Sequence, residues 1–436
     1  MLEIKIKDQG RSRFRKGHPW LYRDELSEHI KSVHPGFPVK LIDEDGSFLA
    51  YGVGNSQSQI AFRTWSLDPN DRDFFSIDFV LKKLVFLWKL KWVLGFRSSF
   101  RVCYSESDGL SGLILDRYLS DDQRTQALVF LISSAAFDVI VKDWREFCER
   151  YLNSLRNEGF LLPPMSHTAV LVRRNEQFKE IENFDTKRML EVINPSCLQL
   201  ESWVSRFHFY PYSESCWIKL KTDLIGGQKT GLFLDQSLNI GLVAHLVQNF
   251  FSQKSHLRIL DLFCYRGSWS SVISHQLSNL GKKIEVTLVD QSELALQQAE
   301  ENVKNAGCHS VTVFHDDVFN FFKLHSNNSQ FWDIVICDPP AFAKTKNAIP
   351  QALKAYRSLA RSSLACVESK GGILVVCSCS SVVSEADFKE VLEGVIKEQC
   401  NIRVHQLLRG SQGLDHTVTP FFPEGNYLKM LVYAKI

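Results

Sequence analysis

The sequence lacks the features that would place it in several common classes. It has no uninterrupted apolar run of about 20 residues, the length a membrane-crossing helix needs. The nearest approach, Ile77 to Phe96, is broken by Lys82, Lys83, Lys89 and Lys91 and reads as an amphipathic helix of a soluble protein. The N-terminal MLEIKIKDQG alternates like a strand and has no apolar signal core. The 11 cysteines are scattered and odd in number, so free thiols in a reducing cytoplasm are expected rather than a disulfide framework. The close pair Cys377 and Cys379 has no second Cys or His pair at a zinc-like distance, and no metal site is expected. An excess of one charge is missing too. Against 51 Lys and Arg stand 49 Asp and Glu, so affinity for a polyanion has to come from local patches. Repeats and low-complexity tracts are absent.

What is present is enough for two or three domains: 436 residues, 44% hydrophobic and 23% charged. Residues 1–70 read as a small β-rich module, with alternating strands on either side of Glu44-Asp45-Gly46 and a further strand in SQIAFRTWS. Near its start, RSRFRKGHPW sets Arg11, Arg13, Arg15 and Lys16 among Phe14, His18 and Trp20, a mixture suited to phosphate contact and base stacking. A solvated edge strand with Trp20 in the core is the competing reading. Residues 71–190 read as an α+β module in which Glu106, Asp108 and Asp116 are either a polar site or ordinary surface turns. Residues 191–436 open with a linking stretch, EVINPSCLQLESWVS, and then alternate short apolar strands with amphipathic helices, the pattern of a largely parallel, doubly wound α/β sheet. Ligands of such sheets sit beyond the carboxyl ends of the strands.

Those ends carry the unusual residues. The first closes near Asp261, followed by Phe263, Tyr265 and Gly267 before a helix. The second ends at Asp290, near the spacing at which a carboxylate meets ribose hydroxyls. The third ends at Asp316 and Asp317, the fourth at Asp338. Each alone could be a helix cap, but four acidic tips in one sheet suggest a ligand. The loop DLFCYRGSWS has one glycine instead of G-x-G-x-x-G, and Tyr265 and Arg266 would crowd a pyrophosphate. S-adenosylmethionine, which has no phosphate, fits better, with Asp290 and Asp317 accepting from its ribose and adenine. Asp338-Pro339-Pro340 forms a stiff turn, but Ala341 stands where enzymes that methylate planar nitrogens place an aromatic residue, and Phe342 comes one later. At the fifth tip, VVCSCS puts Cys377 and Cys379 on one strand face. A thiolate from either could attack carbon 6 of a pyrimidine and make carbon 5 nucleophilic.

With KGHPWLY, SQSQIAFRTW, ESDGLSGLILDRY, GGQKTGLFLDQ, DLFCYRG, VDQSELAL, CDPPAFAKTK, CSCS, LDHTV and FPEGNYLK in order, the chain resembles the RNA cytosine-C5 methyltransferases of the large ribosomal subunit methyltransferase I type. The resemblance spans nearly the whole chain. It implies a PUA-like RNA-binding module at 1–70, a middle α+β domain at 71–190 and a Rossmann-like class I methyltransferase domain at 191–436. It also implies Cys379 as nucleophile and Lys229, Thr230, Phe233, Asp235 and Gln236 along the donor site, while the Asp-Pro-Pro tip makes Asp338 the expected catalytic partner, bonded to N3 and the exocyclic amine of the base. It favours RNA contact by Arg11, Arg13, Arg15, Lys16, His18 and Trp20, and suggests a homodimer. The chain departs from the family's Asp-Gln-Arg-x-x-Arg with Ser237 and Ile240, and has Ser111 and Thr417 where proline is usual. The expected activity is formation of 5-methylcytosine in ribosomal RNA. Two alternatives stand beside it: methylation of a base nitrogen or other acceptor without covalent catalysis, and an inactive RNA-binding or ribosome-assembly protein, which the lost arginines motivate.

Overall fold

The computed structural model describes residues 1–193, 198–213, 215–325, 330–399 and 403–436, so part of the expected linking stretch lies outside the described residues. The chain divides into two units. One comprises Met1–Trp203, Asp223–Gly231 and Leu414–Gly425; the other comprises Val204–Thr222, Leu232–Gly413 and Asn426–Ile436.

The first unit contains two five-stranded sheets. Strands β1 (Leu2–Lys5), β2 (Trp20–Tyr22), β3 (Phe37–Ile42), β4 (Phe48–Gly54) and β5 (Ile60–Ser66) are arranged in the order β1-β3-β4-β5-β2. β3 and β4 pair antiparallel around a turn in which Gly46 takes a φ of +86°, the left-handed conformation that glycine adopts without strain. The basic segment is not an edge strand. Asp8–Arg15 forms helix α1, and its Arg11 and Arg13 reach acidic partners within the same module.

Helix α2 (Ile77–Val93) begins at Ser76, whose hydroxyl accepts the amide of Phe79, and buries Val80, Leu84 and Trp88. Two of its lysines do not face water. Lys83 donates to the carbonyls of Trp65 and Gly109 at 2.7 and 2.8 Å, and Lys91 is fully buried, donating to Thr417 at 2.9 Å. Among the described residues no helix is long and apolar enough to cross a membrane.

The second sheet is formed by β6 (Phe100–Tyr104), β7 (Leu113–Leu119), β8 (Gln126–Ile132), β9 (Thr168–Arg174) and β10 (Leu190–Ile193), in the order β10-β9-β8-β7-β6, with helices α3 (Ala136–Ile140) and α4 (Trp144–Asn157) between β8 and β9. Glu106 and Asp108 lie half-buried in the turn Ser105–Asp108, whereas Asp116 lies on β7. Asp116 is fully buried and receives both Nε and a terminal nitrogen of Arg101 at 2.8 Å, while Asp108 accepts the Tyr104 amide at 2.7 Å.

Strands β11 (Trp203–His208) and β12 (Trp217–Thr222) form a two-stranded sheet, and helix α5 (Ser237–Phe250) follows. The second unit is then built on β13 (His256–Leu262), β14 (Lys283–Asp290), β15 (Ser310–His315), β16 (Ile334–Cys337), β17 (Ile373–Ser378), β18 (Val404–Gly410) and β19 (Lys429–Lys435). Their order is β15-β14-β13-β16-β17-β19-β18, parallel through β17 and antiparallel on both sides of β19. β16 and β17 are buried at every position, as expected of parallel strands with helices on both faces. The connecting helices are α6 (Ser268–Ser278), α7 (Glu293–Asn305), α8 (Val318–His325), α9 (Ile349–Cys366) and α10 (Glu385–Glu398). Because the chain runs β13-β14-β15 one way and resumes at β16 on the other side of β13, the switch point falls between β13 and β16, and the crevice opens at their carboxyl ends.

Candidate functional site

At the switch point the loop after β13 is bent by three residues with positive φ: Phe263 (+59°), Tyr265 (+49°) and Gly267 (+69°). Two of these are bulky, and such conformations persist only where the surroundings impose them. Here the amide of Tyr265 donates to Asp290 Oδ2 at 2.8 Å, so the acidic end of β14 holds the loop. The other Asp290 oxygen accepts the Ser292 amide at 2.9 Å; Ser292, not Asp290, caps α7. Each Asp290 oxygen keeps a further lone pair for a ligand hydroxyl. A Cβ on Gly267 would stand 3.2 Å from both Ala299 and Val303, which explains glycine where the loop meets α7.

Asp261 lies one residue before the end of β13 and is fully buried. Ser270 donates its hydroxyl (2.5 Å) and its amide (3.3 Å) to Oδ2, while Oδ1 is buried with no hydrogen-bond partner in the protein. Burial above all pushes its carboxyl up to about 7, and the neighbouring Asp338 and Asp290 add to the shift.

Asp338 follows β16. Its Oδ2 accepts Gln236 Nε2 at 2.8 Å and Trp269 Nε1 at 3.0 Å, and Gln236 is itself fixed by Asn239 at 2.7 Å. Two separate segments thus orient one carboxylate. Asp235 accepts the Tyr427 hydroxyl, and the rings of Phe233 and Tyr265 lie 4.9 Å apart. Ser237 and Ile240 are buried at the start of α5, with the Ser237 hydroxyl 3.1 Å from that of Tyr212.

The two cysteines differ. β17 ends at Ser378, so the strand period does not extend to Cys379. Cys377 is fully buried, and burial drives its thiol well above the ordinary range. Cys379 stands beyond the strand, partly exposed, with its Sγ 3.7 Å from the Pro339 carbonyl oxygen. Asp-Pro-Pro and the thiol therefore meet. Phe342 packs inward against Tyr356, ring centroids 5.0 Å apart.

Other expected site residues have different neighbours. Asp317 accepts the amides of Phe319 and Asn320 at the start of α8 and the Gln291 side chain at 2.6 Å, while both oxygens of Asp316 accept Asn320. Lys229 and Thr230 fall in the first unit, where buried Thr230 donates to Asp116 at 2.5 Å and lies 2.9 Å from the Tyr118 hydroxyl. Of the basic patch, Arg11 pairs with Asp8 and Asp43, and Arg13 with Glu25. His18 lies against Glu424, and Trp20 donates to Glu106 at 3.1 Å and packs on Phe422; Arg15 and Lys16 are exposed. Sequence reasoning missed Trp269, Tyr356, Tyr427 and Lys429. Trp269, Tyr427 and Lys429 sit inside motifs already singled out, but their type gave no hint of the groups they serve.

Residues 4–67 match the model of a PUA-like domain and residues 253–426 that of a methyltransferase domain. The ribosomal RNA large subunit methyltransferase I of Photobacterium profundum is 27% identical, the alignment covering 95% of this chain and 94% of that one. That of Aeromonas hydrophila is 28% identical over 98% and 97%. Among solved structures, one from Streptococcus mutans described as a SAM-dependent methyltransferase superposes over the full length of both chains with a TM-score of 0.72 at 15% identity. A methyltransferase in complex with S-adenosylhomocysteine does so with a TM-score of 0.73 at 16%.

Sheet order, switch-point loop and acidic tips are those of a class I S-adenosylmethionine-dependent methyltransferase, here preceded by a PUA-like module. Over nearly its whole length the chain is similar to the large ribosomal subunit RNA methyltransferase I proteins.

Proposed function

We propose that this protein forms 5-methylcytosine in large-subunit ribosomal RNA through a covalent adduct to Cys379, with 1–70 serving RNA contact, 71–190 as a middle domain and 191–436 carrying the chemistry. The observation that carries this reading is the pairing of a partly exposed Cys379 with the Asp-Pro-Pro turn, while Cys377 is sealed in the core.

The residues at the switch point fit the donor. Asp290 has acceptor capacity for ribose hydroxyls, Phe233 and Tyr265 offer ring surface, and the loop contains no phosphate cradle. When bound, S-adenosylmethionine supplies an electrophilic methyl group. Cys379, as thiolate, adds to carbon 6 of the cytosine, and the electron pair moved to the ring makes carbon 5 nucleophilic. Asp338, held by Gln236 and Trp269, faces N3 and the exocyclic amine and stabilises the adduct. Once carbon 5 carries the methyl group and has lost its proton to a base, the carbon–sulfur bond breaks and the thiolate returns. The target base has to be unstacked to reach the crevice. The inward packing of Phe342 leaves the turn without the stacking aromatic that a nitrogen-methylating site uses.

The test is nucleoside analysis of ribosomal RNA after reaction with the full-length protein. The expected product is 5-methylcytosine, and Cys379→Ser lowers its formation about a thousandfold or more while leaving donor binding intact. A product methylated on nitrogen, or full turnover in the serine variant, would overturn the covalent route.

A further inference from the structure

β19 lies antiparallel to β17 with Lys429 directly opposite Ser378, the residue before Cys379. Lys429 is only 7% exposed, and its ammonium group donates to the carbonyl oxygens of Ser380 and Val383, both at 2.7 Å. Both acceptors belong to the turn that carries Cys379 out of β17. On its other side the same turn is fixed by Tyr356 of α9, whose hydroxyl accepts from Ser378 Oγ at 2.9 Å and lies 3.0 Å from Ser380 Oγ. The Ala343 amide also donates to Ser380 Oγ at 3.3 Å, tying the turn to the loop after Asp338. The two carbonyls are neutral, so they leave the positive charge of Lys429 uncancelled in a buried setting.

We propose that Lys429 is a positioning residue for Cys379: it fixes the turn that presents the thiol and, as a buried cation beside it, holds the sulfur as thiolate. The proposal rests on Cys379 being the nucleophile. A lysine beside a cysteine lowers the thiol's pKa because the cation favours the charged form. Burial brings Lys429 itself down to about 8, against the pull of Cys379 and then of Glu385 on α10. Cys377 on β17 and Tyr356 on α9 also face Cys379, both moved upward chiefly by burial and so neutral near pH 7. Asp338, next to Pro339, is a carboxylate whose partners Gln236 and Trp269 are neutral, so the sulfur needs a cation against its charge. The lysine therefore supplies the charge that opposes protonation of the sulfur.

The experiment needs neither donor nor RNA. The full-length protein is alkylated with iodoacetamide between pH 5.5 and 9.5, and modification of the Cys379 peptide is timed by mass spectrometry. Lys429→Met is expected to raise the midpoint of the rate profile by about one pH unit, and Lys429→Arg, which keeps the charge, to leave it near the wild-type value. An unmoved midpoint in a folded Met variant overturns the proposal. If that variant does not fold, the wild type decides: a midpoint at or above the ordinary thiol value of about 8.5 overturns it equally. Loss of turnover in Cys379→Ser together with an unmoved midpoint would retain the covalent route and discard only the role of Lys429.

Discussion

The two units bury polar groups for different ends. In the first, charges face one another. Arg101 grips Asp116, which also receives Thr230; Lys91 lies 3.7 Å from Asp108, and both bond Thr417; Arg174 pairs with Asp138 and Glu191. In the second, carboxylates line up along strand ends and some keep capacity to spare: an orphan oxygen on Asp261 and unused lone pairs on Asp290. A satisfied network specifies which segments pack together, whereas acceptor capacity left over at the edge of a cavity is what a ligand can use. Burial of a charge by itself therefore says little about function; what matters is whether its hydrogen-bonding capacity is used up.

That contrast can be broken most forcefully in the first unit. Arg101→Met leaves Asp116 buried without its main partner and should cost about 3–5 kcal/mol in urea denaturation. Pairing it with Asp116→Leu should recover much of the loss, and a cost below about 1 kcal/mol would dissolve the distinction. Next in size, Asp290→Ala should weaken S-adenosylmethionine binding about 10- to 100-fold by calorimetric titration, the worth of hydrogen bonds to a charged acceptor. Unchanged affinity would mean that the strand tip is as purely structural as Asp116.

The smallest effect concerns Asp261. Its folded-state carboxyl titrates at about 7, well above the ordinary aspartate value, so between the two the folded protein binds more protons than the unfolded chain. Stability should then fall as pH rises through that window and level off above it. Asp261→Asn removes the titration, flattens the curve and makes the protein more stable than wild type at pH 8 by roughly 1–2 kcal/mol. A parallel pair of stability–pH curves would show that the charged form is not penalised.

Strand and helix periods made the sheet of the second unit legible because β13, β16 and β17 are short apolar runs between amphipathic helices. Asp261, Asp290 and Asp338 could be placed at one end of it because parallel topology collects strand tips. Residue type did not show commitment. Asp317 reads as Asp290 does, yet its oxygens serve the first turn of α8 and Gln291. Thr230 lies three residues before Phe233, yet the chain carries it into the other unit. Lys91 and Lys83 break an apolar run and so read as solvated, but tertiary acceptors draw both inward. Lys429 ends the motif FPEGNYLK, yet nothing local assigns a role to a strand residue whose partners lie about fifty positions away. Such pairings are set by tertiary packing.

The chain passes between the units at 203–204, 222–223, 231–232, 413–414 and 425–426. No single cut therefore releases either unit whole. The consequence falls on synthesis: the first unit, though it starts at Met1, includes Leu414–Gly425 and is completed only when almost the whole chain has left the ribosome. Until then the groups awaiting that segment, among them the Lys91 ammonium and the Arg101 amide, which bond Thr417 and Asp415, are without those partners. A nascent chain stalled before residue 414 should leave the N-terminal half open to protease, and its protection should arrive late and all at once.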